Sequence, residues 1–151
     1  MDRRIRNSAK TLIIIDGKLL ASKMNEDNDI FYIMPGGGQD ANELLPDAVK
    51  RECAEEMGII VEPKSLLFVI EGLYGEQFHR VDFVFLCEYL GELPDANRKL
   101  DKNQVGYEWL PIINLMNEPL YPARLRSQII DFYHGGKAEV YLGNESMGLI
   151  T

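Results

Sequence analysis

The strongest constraint on this chain is a set of glutamates placed on a helix shortly after a run of glycines. From Pro46 to Met57 the apolar spacing is helical: Pro46 suits a first turn, Asp47 favours the positive N-terminal end, and Gly58 supplies a C-terminal cap. At about 100° per residue, Glu52, Glu55 and Glu56 fall within an arc of roughly 100°, beside an apolar arc of Val49, Cys53 and Met57. Like charges at i,i+3 and i,i+4 repel, and Glu55 and Glu56 lie at the negative end of the helix dipole. A helix shaped only for stability avoids that arrangement. Divalent cations with oxygen ligands remove both penalties and leave positions for water and phosphate. Taken alone, a Glu-x-x-Glu-Glu pattern is more often a solvated acidic face. The balance shifts because Pro35-Gly36-Gly37-Gly38 lies upstream, and exposed backbone groups beside carboxylates suit a metal–phosphate complex. By composition this glycine stretch reads as a loop.

From Gly37 to Ile59 the spacing is Gly37, five residues, Glu43, seven residues, then Arg51-Glu52-Cys53-Ala54-Glu55-Glu56-Met57-Gly58-Ile59. This resembles the Nudix box, G-x5-E-x7-R-E-U-x-E-E-x-G-U with U apolar, at all nine specified positions; Cys53 at the first U is a mild departure. The resemblance implies an α/β/α sandwich with a mixed β-sheet. It also implies Mg²⁺- or Mn²⁺-dependent hydrolysis of a phosphoanhydride bond in a nucleoside diphosphate linked to another moiety, with water as nucleophile. Carried over by position, it makes Glu52, Glu55 and Glu56 metal ligands together with the Gly36 carbonyl, and allows Glu52 to act as base. Arg51 then orients Glu52 and balances charge, or else forms an i,i+4 pair with Asp47 on an exposed helix face. Glu43, near the helix start, serves structure as much as metal. For an acidic residue beyond the box the candidates are Glu108 and the stretch holding Asp101, Asn103 and Gln104. The rival reading is a nucleotide-binding or sensory module of the same fold without turnover. The intact Arg51-Glu52 and Glu55-Glu56 argue against it.

Length and charge agree with a small soluble substrate. The 151 residues suit one domain spanning 1–151, able to bury a core without disulfide support. With 24 Asp and Glu against 16 Lys and Arg the formal charge is −8, so long nucleic acid and anionic bilayers are repelled. A small phosphorylated, nucleotide-like partner is received only if cations or a local basic group neutralise it. The apolar run Leu12–Ile15 is too short for a secretion signal or a membrane span, and Cys53 and Cys87 read as buried free thiols. A cytoplasmic location is the expectation, and the resemblance allows a homodimer.

Elsewhere, Lys10–Ile15 and Lys18–Ser22 flank Asp16-Gly17 as a hairpin. Strands are predicted at 30–34, 59–61, 66–73, 81–90, 104–110 and 139–142, a turn at Gly75-Glu76, a loop over 91–103 and a helix at 124–133. Candidate substrate contacts are Gly37, Gly38, Tyr74, His79 and Arg80. A lone His entering a strand is more often structural, Arg80 reaches substrate or faces solvent, and Tyr74 is equally a core or rim residue. Phe31, Tyr32 and Phe78 suit base stacking or strand packing, and His134 suits a helix C-terminus.

Overall fold

The computed structural model describes residues 4–73, 77–94, 100, 102–137 and 139–145. Strand β1 (Ile5–Leu12) leads into β2 (Ile14–Ile15) and β3 (Lys18–Glu26), followed by β4 (Asp29–Ile33) and the short β5 (Gly36–Gly38). Helix α1 (Leu45–Met57) comes next, then two 14-residue strands, β6 (Ile59–Gly72) and β7 (His79–Glu92). Strand β8 (Gln104–Pro111), a 3₁₀-helix (Ile112–Asn117), β9 (Leu120–Tyr121), α2 (Arg124–Tyr133) and β10 (Tyr141–Asn144) complete the order.

One sheet runs β10-β6-β7-β1-β5 and is mixed: β1 lies parallel to β7 and β10 to β6, while β6/β7 and β1/β5 are antiparallel. The other runs β2-β3-β4-β9, with β8 paired to β3. Helix α1 covers one face of the first sheet, burying Val49, Cys53 and Met57 with Ala9, Val61 and Phe85. On the opposite face Phe68, Ile70 and Val84 meet Leu19 and Tyr32 of the second sheet and Leu125 and Ile129 of α2. The expected mixed-sheet α/β fold is therefore present, with residues of the second sheet and of α2 sharing the core on that opposite face.

Local chemistry explains most elements. Asp16 and Gly17 both adopt positive φ, 52° and 73°, as a primed two-residue turn between β2 and β3 requires. Helix α1 has no side-chain N-cap and no basic residue in its last turn. Burial of its apolar face holds it, since each buried Val or Met contributes about 1.5–3 kcal/mol against a few tenths for each like-charge pair. Gly58 closes α1 in the left-handed conformation, φ 64°, donating to Cys53 and Ala54 carbonyls. Its own carbonyl accepts the Leu93 N–H at 2.7 Å, tying the helix end to the chain leaving β7.

Four expectations change. The glycine stretch is not a loop: Gly36–Gly38 pairs with Ser8–Lys10 as an edge strand. The segments at 59–61 and 66–73 are one strand, kept continuous by register shifts at 60/61, 63/65 and 66/68 that absorb its polar middle. Strand β7 starts at His79 and runs on to Glu92, shortening the predicted loop, because pairing with β6 satisfies its backbone. The last strand sits two residues later than predicted, at 141–144. Tyr74, the turn at Gly75-Glu76 and Asp101 lie outside the described residues. No described helix is long and apolar enough to cross a membrane.

A methyl group on Gly36, whose φ is 139°, would lie 2.1 Å from the Ala9 carbonyl oxygen, a clash with backbone on the paired strand. Gly91 has a similar φ, 140°, but open space around the same position. Gly91→Ala should therefore cost only backbone strain, about 1–3 kcal/mol, and Gly36→Ala clearly more. Urea denaturation of the two variants measures the difference, and equal costs would contradict the β1–β5 packing.

Candidate active site

The glycine strand and the acidic helix meet through Arg51. Its guanidinium lies among four carboxylates. Nη2 and Nε donate to the two oxygens of Glu43 at 2.7 and 3.1 Å, and Nη1 donates to Glu52 at 3.0 Å and Glu55 at 3.3 Å. Asp40 stands 3.4 Å from Nε, and Nη2 also donates to the Gly38 carbonyl at 2.9 Å. The i,i+4 pair of Arg51 with Asp47 is not formed, because the fork geometry of a guanidinium favours two-pronged binding of Glu43 over one surface carboxylate. Glu43 itself accepts the Asp40 N–H at 2.9 Å, and its carbonyl takes Gln39 Nε2 at 2.8 Å, so the 39–43 connection folds around this carboxylate. Glu43 is thus the structural clamp that joins loop, strand and helix.

Ladder parity orients the backbone of β5. Thr11 N–H donates to the Pro35 carbonyl and Gln39 N–H to the Asn7 carbonyl, so residues 35, 37 and 39 face β1. The carbonyls of Gly36 and Gly38 then lie on the outer edge, the side on which Arg51 is bound. Gly37 is packed so closely that a Cβ would stand 2.6 Å from the Glu52 carboxylate. Glu52 is held between Gly37 and Arg51, its side chain 12% exposed. Glu56 is deeper, 2% exposed, and Glu55 is open to solvent at 41%. Glu52 and Glu55 are thus brought together at Arg51 beside β5, and Glu56 is buried on the same helix.

The donor set is oxygen throughout, suited to Mg²⁺ or Mn²⁺ and ill-suited to soft metals. Among the described residues, no three His, Cys, Asp or Glu side chains are arranged to enclose an ion. The Arg51 bonds draw Glu52 and Glu55 toward the guanidinium.

The remaining candidates divide. His79 Nε2 lies 2.6 Å from Glu71, which also accepts the Tyr141 hydroxyl. Arg80 does not face solvent: its side chain is 8% exposed, and Nε donates to Asp82 at 2.9 Å. Burial behind Gly72 explains this, since a Cβ there would meet the guanidinium at 2.7 Å. Glu108 is bonded to Lys23 at 3.0 Å and the Tyr32 hydroxyl at 2.9 Å. Tyr32 is pushed up to about 12 by burial and by that carboxylate. His134 caps α2 through Nδ1 and the Ile130 carbonyl, 2.9 Å apart, and both cysteines are buried and free. Asp82 and Lys10 were not singled out by spacing. The available signal was the alternation Arg80-Val81-Asp82, which puts two opposite charges on one strand face.

Arg51, then the Asp40 backbone N–H, holds the Glu43 carboxyl below its ordinary value. A carboxyl depressed in the folded state contributes stability above the unfolded-state pKa and loses it as pH falls through the folded value. The melting temperature should therefore drop as pH is lowered past the ordinary carboxylate range, and Glu43→Gln should flatten that drop. Melting curves across acidic pH check this; an unchanged slope would remove Glu43 from its role as clamp.

The NUDIX domain matches residues 6–131 of the chain. Two curated relatives carry the name 8-oxo-dGDP phosphatase NUDT18. The mouse protein is 28% identical over 109 residues, 64% of this chain and 32% of its own length. The human protein is 31% identical over 84 residues, 56% of this chain and 25% of its own length. The chain thus spans a third or less of the curated relatives it matches. A crystal structure of MutT NUDIX hydrolase from Burkholderia pseudomallei is 26% identical, covers 82% of this chain and 96% of that one, and superposes with a TM-score of 0.67. The solution structure of the E. coli ORF135 protein, 17% identical over 91% of this chain and 96% of that one, shares the fold at a TM-score of 0.72. With most of its length matched by that domain, the chain belongs to the NUDIX domain family.

Proposed function

We propose that the protein is a divalent-metal-dependent pyrophosphohydrolase that cleaves a phosphoanhydride bond in a nucleoside diphosphate linked to another moiety, with water as nucleophile. The observation that carries this reading is the fixation of Glu52 between Gly37 and the Arg51 guanidinium, beside Glu55 and Glu56. Phosphoanhydride hydrolysis asks the protein mainly for positioning and charge neutralisation. Glu52, Glu55, Glu56 and the Gly36 carbonyl would hold Mg²⁺ or Mn²⁺, which when bound neutralises phosphate charge and lowers the pKa of water.

In this reading Glu52 orients the attacking water or takes its proton, and Arg51 is the positioning residue that fixes the Glu52 carboxylate. Arg51 is held independently of Glu52 and Glu55 by Glu43 and the Gly38 carbonyl, and would stay anchored if those two glutamates held a cation. Gly37 and Gly38 offer a surface without side chains, where phosphate oxygens can approach the backbone. The nucleoside diphosphate class is supported by the names of the mouse and human relatives, which specify a phosphatase of 8-oxo-dGDP.

Glu56→Gln keeps shape and helix propensity while deleting one negative charge from a buried position at the negative end of α1. The variant should lose most turnover, yet its metal-free form should be as stable as the parent or more so, by on the order of 1 kcal/mol. Added Mg²⁺ should stabilise it less than the parent. Melts with chelator and with Mg²⁺, beside a nucleoside diphosphate panel with coupled phosphate release, measure all three. Turnover undiminished by excess chelator would defeat the metal requirement. Nucleotide binding without product at any metal concentration would instead favour a silent binding module.

A further inference from the structure

Alternation along β5 turns its glycines to opposite sides of the first sheet. A Cβ on Gly37 would point at Glu52, whereas a Cβ on Gly38 would stand 3.0 Å from Nη2 of Arg6. Gly38 pairs with Ser8, so Arg6 lies across it on the face of β1 turned away from α1. Further along that face, Lys10, Arg80 and Asp82 form the floor of a cavity of about 250 Å³. Arg6 thus stands where the cavity side of the sheet meets the edge that carries Arg51 and Glu52.

Two observations define what Arg6 takes. First, its charge is not spent within the protein. Arg51 is taken up by carboxylates and Arg80 by Asp82, but Arg6 is exposed and makes no ion pair among the described residues. In a chain of formal charge −8, an unpaired guanidinium at this edge is a local basic group able to receive an anion. Second, Arg6 is held in place without using up its donors. Its guanidinium carbon lies 5.1 Å from the centre of the Phe78 ring, an attraction of charge to the ring face that leaves N–H groups for a ligand. Ladder parity also turns the Gly38 N–H to the outer edge of β5, so a backbone donor stands beside the guanidinium.

We propose that Arg6 binds a phosphate of the substrate other than the one attacked, across the side-chain-free surface of Gly38. This rests on the hydrolase reading above and assigns it a binding residue on β1, outside the glycine strand and the acidic helix. The fork of a guanidinium matches two oxygens of one phosphate. Strand β5 stands between Arg6 and Glu52, since Gly37 faces the one and Gly38 the other. Arg6 therefore grips the substrate equally before and during the attack, which lowers KM and leaves kcat unchanged. Phe78 is its positioning residue.

The test is calorimetric binding of the α,β-methylene analogues of ADP and GDP to the full chain with Mg²⁺ present. A carbon replaces the anhydride oxygen in both, so the measurement does not depend on hydrolysis. Arg6→Gln should weaken binding of each analogue about 10-fold or more. Phe78→Leu keeps the charge but removes the ring beneath it, and should weaken binding by less. Lys64→Gln removes the same charge eight residues along β6 from Gly72, roughly 25 Å from Arg6, and should change nothing. In turnover, Arg6→Gln should raise KM about 10-fold and hold kcat within about twofold of the parent. Binding of neither analogue by the parent, unchanged affinity in Arg6→Gln, equal weakening by Lys64→Gln, or a loss confined to kcat overturns the proposal. A parent whose binding depends on Arg6 but which hydrolyses no nucleotide sinks the hydrolase reading alone.

Discussion

Four carboxylates around one guanidinium organise the region that matters most in this protein. Asp40 and Glu43 come from the connection ahead of α1 and Glu52 and Glu55 from the helix itself, and Arg51 is the cation within 4 Å of all four. Without it their repulsion would press the 39–43 connection away from α1. With it, the connection folds back and carries the Gly36–Gly38 strand into position. Exposed ion pairs are individually weak, but a partly buried network with two-pronged geometry is worth more than its separate pairs. Arg51 is only 26% exposed, which places it in the second category.

Much of this was legible in the sequence, and the limits were physical. Helix α1 was readable because its signals are local: apolar spacing, an early proline and a closing glycine. The β2–β3 turn was readable for the same reason, since Asp16-Gly17 states its own backbone conformation. The glycine strand was not readable. Three glycines carry no strand propensity, and Gly36–Gly38 is extended only because β1, more than twenty residues earlier, offers open backbone groups. Of the two readings of Arg51, the contact with Glu52 is present, while the pair with Asp47 gives way to Glu43 on the same ground. Helical periodicity points to Asp47, four residues away, whereas Glu43 is eight residues away and reaches the guanidinium through a non-helical turn.

The first sheet separates two kinds of chemistry. Toward α1 it presents the apolar bed on which the acidic helix rests, with Ala9, Val61 and Phe85 against Val49, Cys53 and Met57. Toward the second sheet, near the start of β7, the same strands carry Arg80 and Asp82 at the rim of an otherwise apolar interior. Period-two alternation makes this division possible, because neighbouring residues of β1 and β7 serve opposite faces. A charged helix edge and a polar cavity floor can thereby belong to one sheet only a few ångströms thick.

Gly58 sits outside this chemistry and yet governs its aim. It ends α1 through one N–H shared by the Cys53 and Ala54 carbonyls, and its own carbonyl accepts the Leu93 N–H from the far end of β7. A helix that slipped by one residue would turn its side chains by about 100°, enough to swing Glu52 from the glycine strand to open water. The angular setting of the acidic edge is therefore held by an uncharged residue remote from Arg51. It works as an indexing stop, so the phase of the helix is a property of the sheet as much as of the helix.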